Sequence, residues 1–135
     1  MKQNVNDSRP QRIVLVDDES SVLEIMELLV RSVFPNAILL VFSNSKEAWQ
    51  ELSERNPDLL LTDDLMPGLR GKEIVQRLAD KKATYPIIVH SAYHSTDEEV
   101  HEFVNQGLNI KFIRMPFEQQ DYRKLLESLL PPTTH

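Results

Sequence analysis

Asp58-Leu59-Leu60-Leu61-Thr62-Asp63-Asp64-Leu65-Met66-Pro67-Gly68 is the stretch from which the fold of this chain can be read. A short apolar run ends in two adjacent carboxylates, and a Pro67-Gly68 turn follows soon after. A run of this length between turn signals suits a strand buried on both faces. Asp63 then stands at the carboxyl end of that strand, where open α/β sheets place their ligands.

Working outward, the same grammar recurs. Ile13-Val14-Leu15-Val16 is a first strand closed by Asp17-Asp18-Glu19, and a helix follows. Ser21 and Glu24 have capping-box spacing, and Val22, Ile25, Met26, Leu29 and Val33 recur at helical intervals. Pro35 disfavours helix at Phe34. Ala37 to Phe42 is a second strand. Asn44 with Glu47 caps the next helix, whose inner face is Ala48, Leu52 and Trp49, and Pro57 breaks it. Beyond the quoted stretch, Gly71 to Lys82 reads as a short helix packed through Ile74, Val75 and Leu78. Pro86-Ile87-Ile88-Val89 is a fourth strand ending at His90-Ser91-Ala92. Ser95 and Glu98 cap a fourth helix with Val100, Phe103 and Val104 as its sparse apolar positions, and Gly107 terminates it. Lys111 to Arg114 is a fifth strand stopped by Pro116. The last helix, Glu118 to Leu130, buries Tyr122, Leu125, Leu126 and Leu129 before Pro131-Pro132. Strands alternating with helices imply βαβ units around a parallel sheet. Right-handed crossovers put the helices on both of its faces.

Composition narrows the function. At 135 residues, 41% hydrophobic and 27% charged, the chain has the make-up of one globular domain. A net charge of −6 argues against a nucleic-acid surface, which would need a basic stripe, and favours basic partners or cations. Without cysteine there is no disulfide, thiolate nucleophile or Cys-based zinc site. Nothing approaches the ~20 apolar residues that span a bilayer, and polar Met1 to Pro10 lack a signal-peptide core. A cytoplasmic location is the expectation.

In a parallel sheet all carboxyl ends lie on one edge, so Asp17, Asp18, Asp63, Asp64 and Ser91 converge there. Acids crowded on one rim repel each other unless a cation neutralises them. Hard oxygen donors in small number suit Mg²⁺, and a carboxylate beside it can attack a phosphoryl group. An acid after a strand is also a common helix cap or turn former, and for Asp17-Asp18 alone that reading and a site stand level. Asp63 is harder to explain that way, because a carboxylate left unpaired at a semi-buried rim is costly. The two sets together favour a site. His90 and His94, near the fourth strand's end, read as packed or solvated residues rather than metal ligands.

These residues, in this order, resemble the receiver domain of two-component response regulators. Val16-Asp17-Asp18-Glu19 is similar to that family's acidic pair, and Asp58 to Gly71 to its phospho-acceptor segment. Ile87 to Ala92 is similar to its hydroxyl-bearing strand, and Phe112 to Phe117 to the end of its fifth strand. The resemblance runs from about Arg12 to Leu130. It implies a disordered lead-in over 1–10, a receiver domain over 11–130 and a tail or linker stub over 131–135. It also implies a flavodoxin-like, doubly wound five-stranded parallel α/β sheet in the order 2-1-3-4-5. Asp63 would be the phospho-acceptor. Asp17, Asp18, Asp63 and the Leu65 backbone carbonyl would hold Mg²⁺ (or Mn²⁺). Ser91 would bond the phosphoryl group, and Phe112 would turn inward with it. The donor would be a sensor histidine kinase or a phosphotransfer protein. A downstream effector domain or protein, or a second copy as a homodimer, would dock on the face of the fourth helix, fifth strand and fifth helix. No direct contact with nucleic acid or membrane is expected.

One departure bears on function. The family's usual lysine before the proline of the fifth strand is Met115 here, and a lysine there would be worth a few kcal/mol at ~4 Å from a phosphoryl oxygen. Gly107 to Pro116 also runs one residue longer than the family's usual spacing, compatible with a shifted register or a bulge. Two alternatives therefore stand beside the phospho-accepting receiver: a docking module that signals without phosphorylation, and a phosphatase using Asp63 as nucleophile. The phosphatase reading lacks its customary second acid, since Leu65 occupies that place. Nothing after Leu130 reads as an effector, which suits a stand-alone receiver or a piece of a longer protein.

Overall fold

Leu59, Leu60 and Leu61 are all completely buried, although strand alternation points them to opposite sides of a sheet. Both sides must therefore be covered, and they are. The computed structural model describes residues 10–63, 71–91, 102–114 and 116–130. In chain order these form β1 (Arg12–Val16), α1 (Ser20–Val33), β2 (Ile38–Phe42), α2 (Ser45–Glu54), β3 (Leu59–Asp63), α3 (Gly71–Asp80) and β4 (Ile87–Ser91). Helical residues 102–105 (α4), β5 (Ile110–Arg114) and α5 (Gln119–Leu129) complete them. The strands make one sheet in the order β2-β1-β3-β4-β5, every pair parallel. The expected doubly wound architecture is the observed one.

Two cores result. Ile13, Leu15, Leu59, Leu61 and Ile88 face α1 and α5, meeting Met26, Val30, Tyr122 and Leu126. Val14, Val16, Leu60, Ile87 and Val89 face the other way, against Ala48 and Leu52 of α2, Ile74, Val75 and Leu78 of α3, and Phe103. At the amino-terminal edge, the Arg12 backbone N–H donates to the Asp58 carboxylate at 2.8 Å. The Arg12 guanidinium meets Glu51 at 2.7 Å, tying the start of β3 to β1 and α2.

Local signals explain most boundaries. Asn44 caps α2, its side-chain oxygen accepting from the N–H groups of Lys46 at 2.8 Å and Glu47 at 3.2 Å. Asn44→Ala is expected to cost about 1 kcal/mol, the usual worth of such a cap, measured by chemical denaturation. Gly107 has φ +93°, a left-handed value that glycine adopts without strain. Its N–H donates to the Val104 carbonyl at 2.9 Å and that of Leu108 to Phe103 at 3.2 Å, the paired bonds that close a helix at glycine.

The first helix differs from the capping-box expectation. Ser21 lies inside α1, and Glu19 is the N-cap residue, without a side-chain cap bond. The reason lies one turn earlier: the Asp17 carboxylate accepts from the Glu19 N–H at 2.9 Å, so the chain turns into the helix sooner. Leu23, Met26, Leu29, Val30 and Val33 are the buried positions, while Ile25 is 48% exposed. Val104 of α4 is likewise exposed rather than inward, and Ser95, Glu98 and Val100 lie outside the described residues. The extra residue before Pro116 does not disturb the described part of β5, which pairs without a bulge from Ile87↔Ile110 to Ser91↔Arg114.

Candidate functional site

The carboxyl rim is set by register. Val16 pairs with Thr62, and Asp63 with His90. The residue after Val16, Asp17, is therefore level with Asp63 on the neighbouring strand. Its backbone N–H continues the ladder by donating to the Phe42 carbonyl at 3.1 Å. Alternation gives Asp63 the same side of the sheet as Leu61. Asp17 is only 5% exposed, Asp63 is half-buried and Asp18 is exposed. One carboxylate oxygen from each of the three lies within 4.8 Å of the others.

That crowding has an electrostatic signature. Burial, the largest cause, pushes the Asp17 carboxyl from 3.8 up to about 6, and the negative charges of Asp63, Asp18 and Glu19 push the same way. The hydrogen bond from the Glu19 N–H opposes them without prevailing. At neutral pH the rim therefore carries charge that folding has made costly to hold. A divalent cation is the partner that such a donor set suits. Hard carboxylate oxygens at this spacing fit Mg²⁺ or Mn²⁺ after a modest inward adjustment, since ligand distances of roughly 2.0–2.1 Å are required for Mg²⁺.

The remaining residues singled out in the sequence divide into two groups. Ser91 is the last residue of β4, so its backbone reaches this rim. Phe112 is half-buried in β5 and stacks on Phe103, ring centroids 6.5 Å apart. Leu65, Met115, Asp64 and His94 lie outside the described residues, as does the Ser91 side chain.

His90, read from the sequence as packed or solvated, is packed. The ring is 3% exposed and its Nε2 lies 2.6 Å from the Tyr122 hydroxyl of α5. Burial lowers its pKa to about 4, with a smaller opposing contribution from a bond to the Thr62 backbone. A neutral imidazole has one donor and one acceptor nitrogen. With Nδ1 donating to the Thr62 backbone, Nε2 would accept from the Tyr122 O–H; in the other tautomer it would donate. The only sequence signal for this was that β4 alternation puts His90 on the same side as Ile88, facing the inner stripe of α5.

Together the fold and the rim define a flavodoxin-like α/β domain with acids where that architecture binds ligands. The chain belongs to the response regulator receiver domain family, whose profile matches residues 13–127. Among its relatives, the regulatory protein VanR of Enterococcus faecium is 32% identical over 109 residues, covering 78% of this chain and 44% of that protein. The receiver domain of nitrogen regulatory protein C, in its apo form in solution, superposes with a TM-score of 0.71 at 25% identity, covering 88% of this chain and 93% of that one. The receiver domain of a Pseudomonas aeruginosa sensor histidine kinase, solved with a magnesium ion in its active-site cleft, gives a TM-score of 0.70 at 19% identity, covering 90% and 98%. The chain spans about half the length, or less, of the curated relatives it matches, from 23% of NtrC to 52% of PhoB. Among the described residues, no helix is long and apolar enough to cross a membrane.

Proposed function

We propose that this receiver domain accepts a phosphoryl group on Asp63, with a divalent cation held by Asp17, Asp18, Asp63 and the backbone carbonyl of Leu65. The observation that carries the reading is the approach of the three carboxylates to within 4.8 Å at the carboxyl rim. The magnesium ion in the cleft of the kinase-linked receiver lends it support by similarity. When bound, Mg²⁺ (or Mn²⁺) neutralises the acids and the incoming phosphoryl oxygens, allowing two anions to meet. An Asp63 carboxylate oxygen forms the new P–O bond as the P–N bond of a phosphohistidine donor breaks, and the donor nitrogen keeps the electron pair. Ser91 would donate its hydroxyl to the product, and Phe112 would turn inward with it. The added charge, about −1.5 to −2, biases the face formed by α4, β5 and α5. A sensor histidine kinase or phosphotransfer protein on the donor side, and an effector or second copy on the output side, complete a cytoplasmic relay.

Incubation with Mg²⁺ and acetyl phosphate, read by intact-mass spectrometry, tests this. One phosphoryl adduct is expected on the wild type and none on Asp63→Asn; an adduct that survives the substitution, or never forms, rejects it. Met115 favours one second reading, a docking module whose partner binding ignores phosphorylation, because methionine offers a phosphoryl oxygen neither charge nor donor. That reading expects Asp63→Ala to bind its partner as the wild type does.

A further inference from the structure

His90 sits directly across from Asp63 in the β3–β4 register, so both side chains leave the sheet on the side covered by α1 and α5. From there the imidazole reaches in two directions. One is the backbone of Thr62, the residue immediately before Asp63. The other is the Tyr122 hydroxyl, 2.6 Å away on α5. The ring also lies 5.3 Å from the Tyr122 ring at a 26° angle and 6.1 Å from Phe117, and Phe117 and Tyr122 are 4.5 Å apart. Phe117 belongs to the connection between β5 and α5, so three rings join the strand beside Asp63 to the helix on the opposite side of this layer. Tyr122 is 1% exposed, and water has no access to replace either partner.

Apolar packing alone tolerates sliding of a helix over a sheet, because it is non-directional. A buried hydrogen bond does not, since a small displacement leaves a donor and an acceptor unpaired. We infer that His90 and Tyr122 are positioning residues that tie α5 to the acidic rim, so that a ligand at Asp63 moves α5 through the Thr62–His90–Tyr122 path. This rests on the rim being the cation and phosphoryl site proposed above. The function of the bond is then to make α5 follow the rim, in addition to holding the core together.

The test is amide NMR of the full chain titrated with MgCl₂ and beryllium fluoride, a tetrahedral phosphoryl analogue. Asp17, Asp18 and Asp63 report the rim, and Gln119 to Leu129 report α5. In the wild type both sets of amides are expected to shift. In Tyr122→Phe the rim is expected to shift as before while the α5 response falls below about half, because the state selected at the rim no longer changes the energy of α5. The double variant His90→Leu with Tyr122→Phe replaces the bond by apolar contact and regains stability. It is expected to keep the reduced α5 response, which a merely structural role would restore. A full α5 response in Tyr122→Phe, or restoration in the double variant, overturns the proposal. So does a wild type whose rim shifts while α5 stays still. Absence of any rim shift in the wild type removes the site reading itself, and this inference with it.

Discussion

Asp17→Asn is expected to make the cation-free protein more stable at neutral pH by about 2–3 kcal/mol, while abolishing its stabilisation by Mg²⁺. The carboxyl titrates near 6 in the folded protein against an ordinary 3.8, chiefly because it is buried. The folded state therefore holds a proton that the unfolded chain has already lost between pH 4 and 6. By linkage, this group removes stability as pH rises through that window, at up to about 1.4 kcal/mol per pH unit, and nothing further above it. Asparagine keeps an oxygen to accept from the Glu19 N–H, so the turn into α1 survives. Its amide donates toward neighbouring carboxylates instead of repelling them. His90 works in the opposite sense: its pKa, lowered to about 4, makes stability fall as pH drops below its ordinary 6.5. In the wild type the two slopes largely offset each other between pH 4 and 6. Asp17→Asn unmasks the histidine slope. Urea denaturation at several pH values, with EDTA or Mg²⁺, measures all of this. A variant less stable than wild type in EDTA at pH 7 would contradict it.

Tyr122→Ala is expected to cost about 3–5 kcal/mol, the range for truncating a fully buried aromatic. A domain of this size has ~5–15 kcal/mol in total, so this one change approaches the limit of folding. The ring fills the space between α5, Phe117 and the end of β4, and alanine leaves it empty. Tyr122→Phe separates packing from polarity. It keeps the ring and strands only the His90 nitrogen, so about 1–3 kcal/mol is expected. Thermal and urea denaturation of both variants check the ranking, which would fail if the phenylalanine were as damaging as the alanine.

The strands and the rim were legible because their signals leave few alternatives. A four- or five-residue apolar run between turn formers can be buried on both faces in only one way, and β3 obeys it from Leu59 to Thr62. Parallel strands share an edge, so Asp17 and Asp63 could be brought together before any distance was known. Asn44 and Gly107 are equally local: each acts through backbone groups within four residues of itself. Helix α1 was less legible because apolar residues occupy too many of its positions. Val22, Ile25 and Leu28 make one stripe, and Leu23, Met26, Val30 and Val33 another. Only the sheet selects between them, leaving Leu28 71% exposed.

By itself, then, the sequence determined the element order, the parallel sheet and the gathering of carboxylates at one edge. These follow from periodicity, turn chemistry and handedness, which act over a few residues or one crossover. Tertiary structure alone decided which stripe of α1 is buried, how closely Asp17, Asp18 and Asp63 approach, and that His90 pairs with Tyr122 across 32 positions. Those outcomes depend on desolvation and on contacts between elements far apart in the chain. No local pattern encodes such contacts, because each partner acquires its environment only when the other arrives.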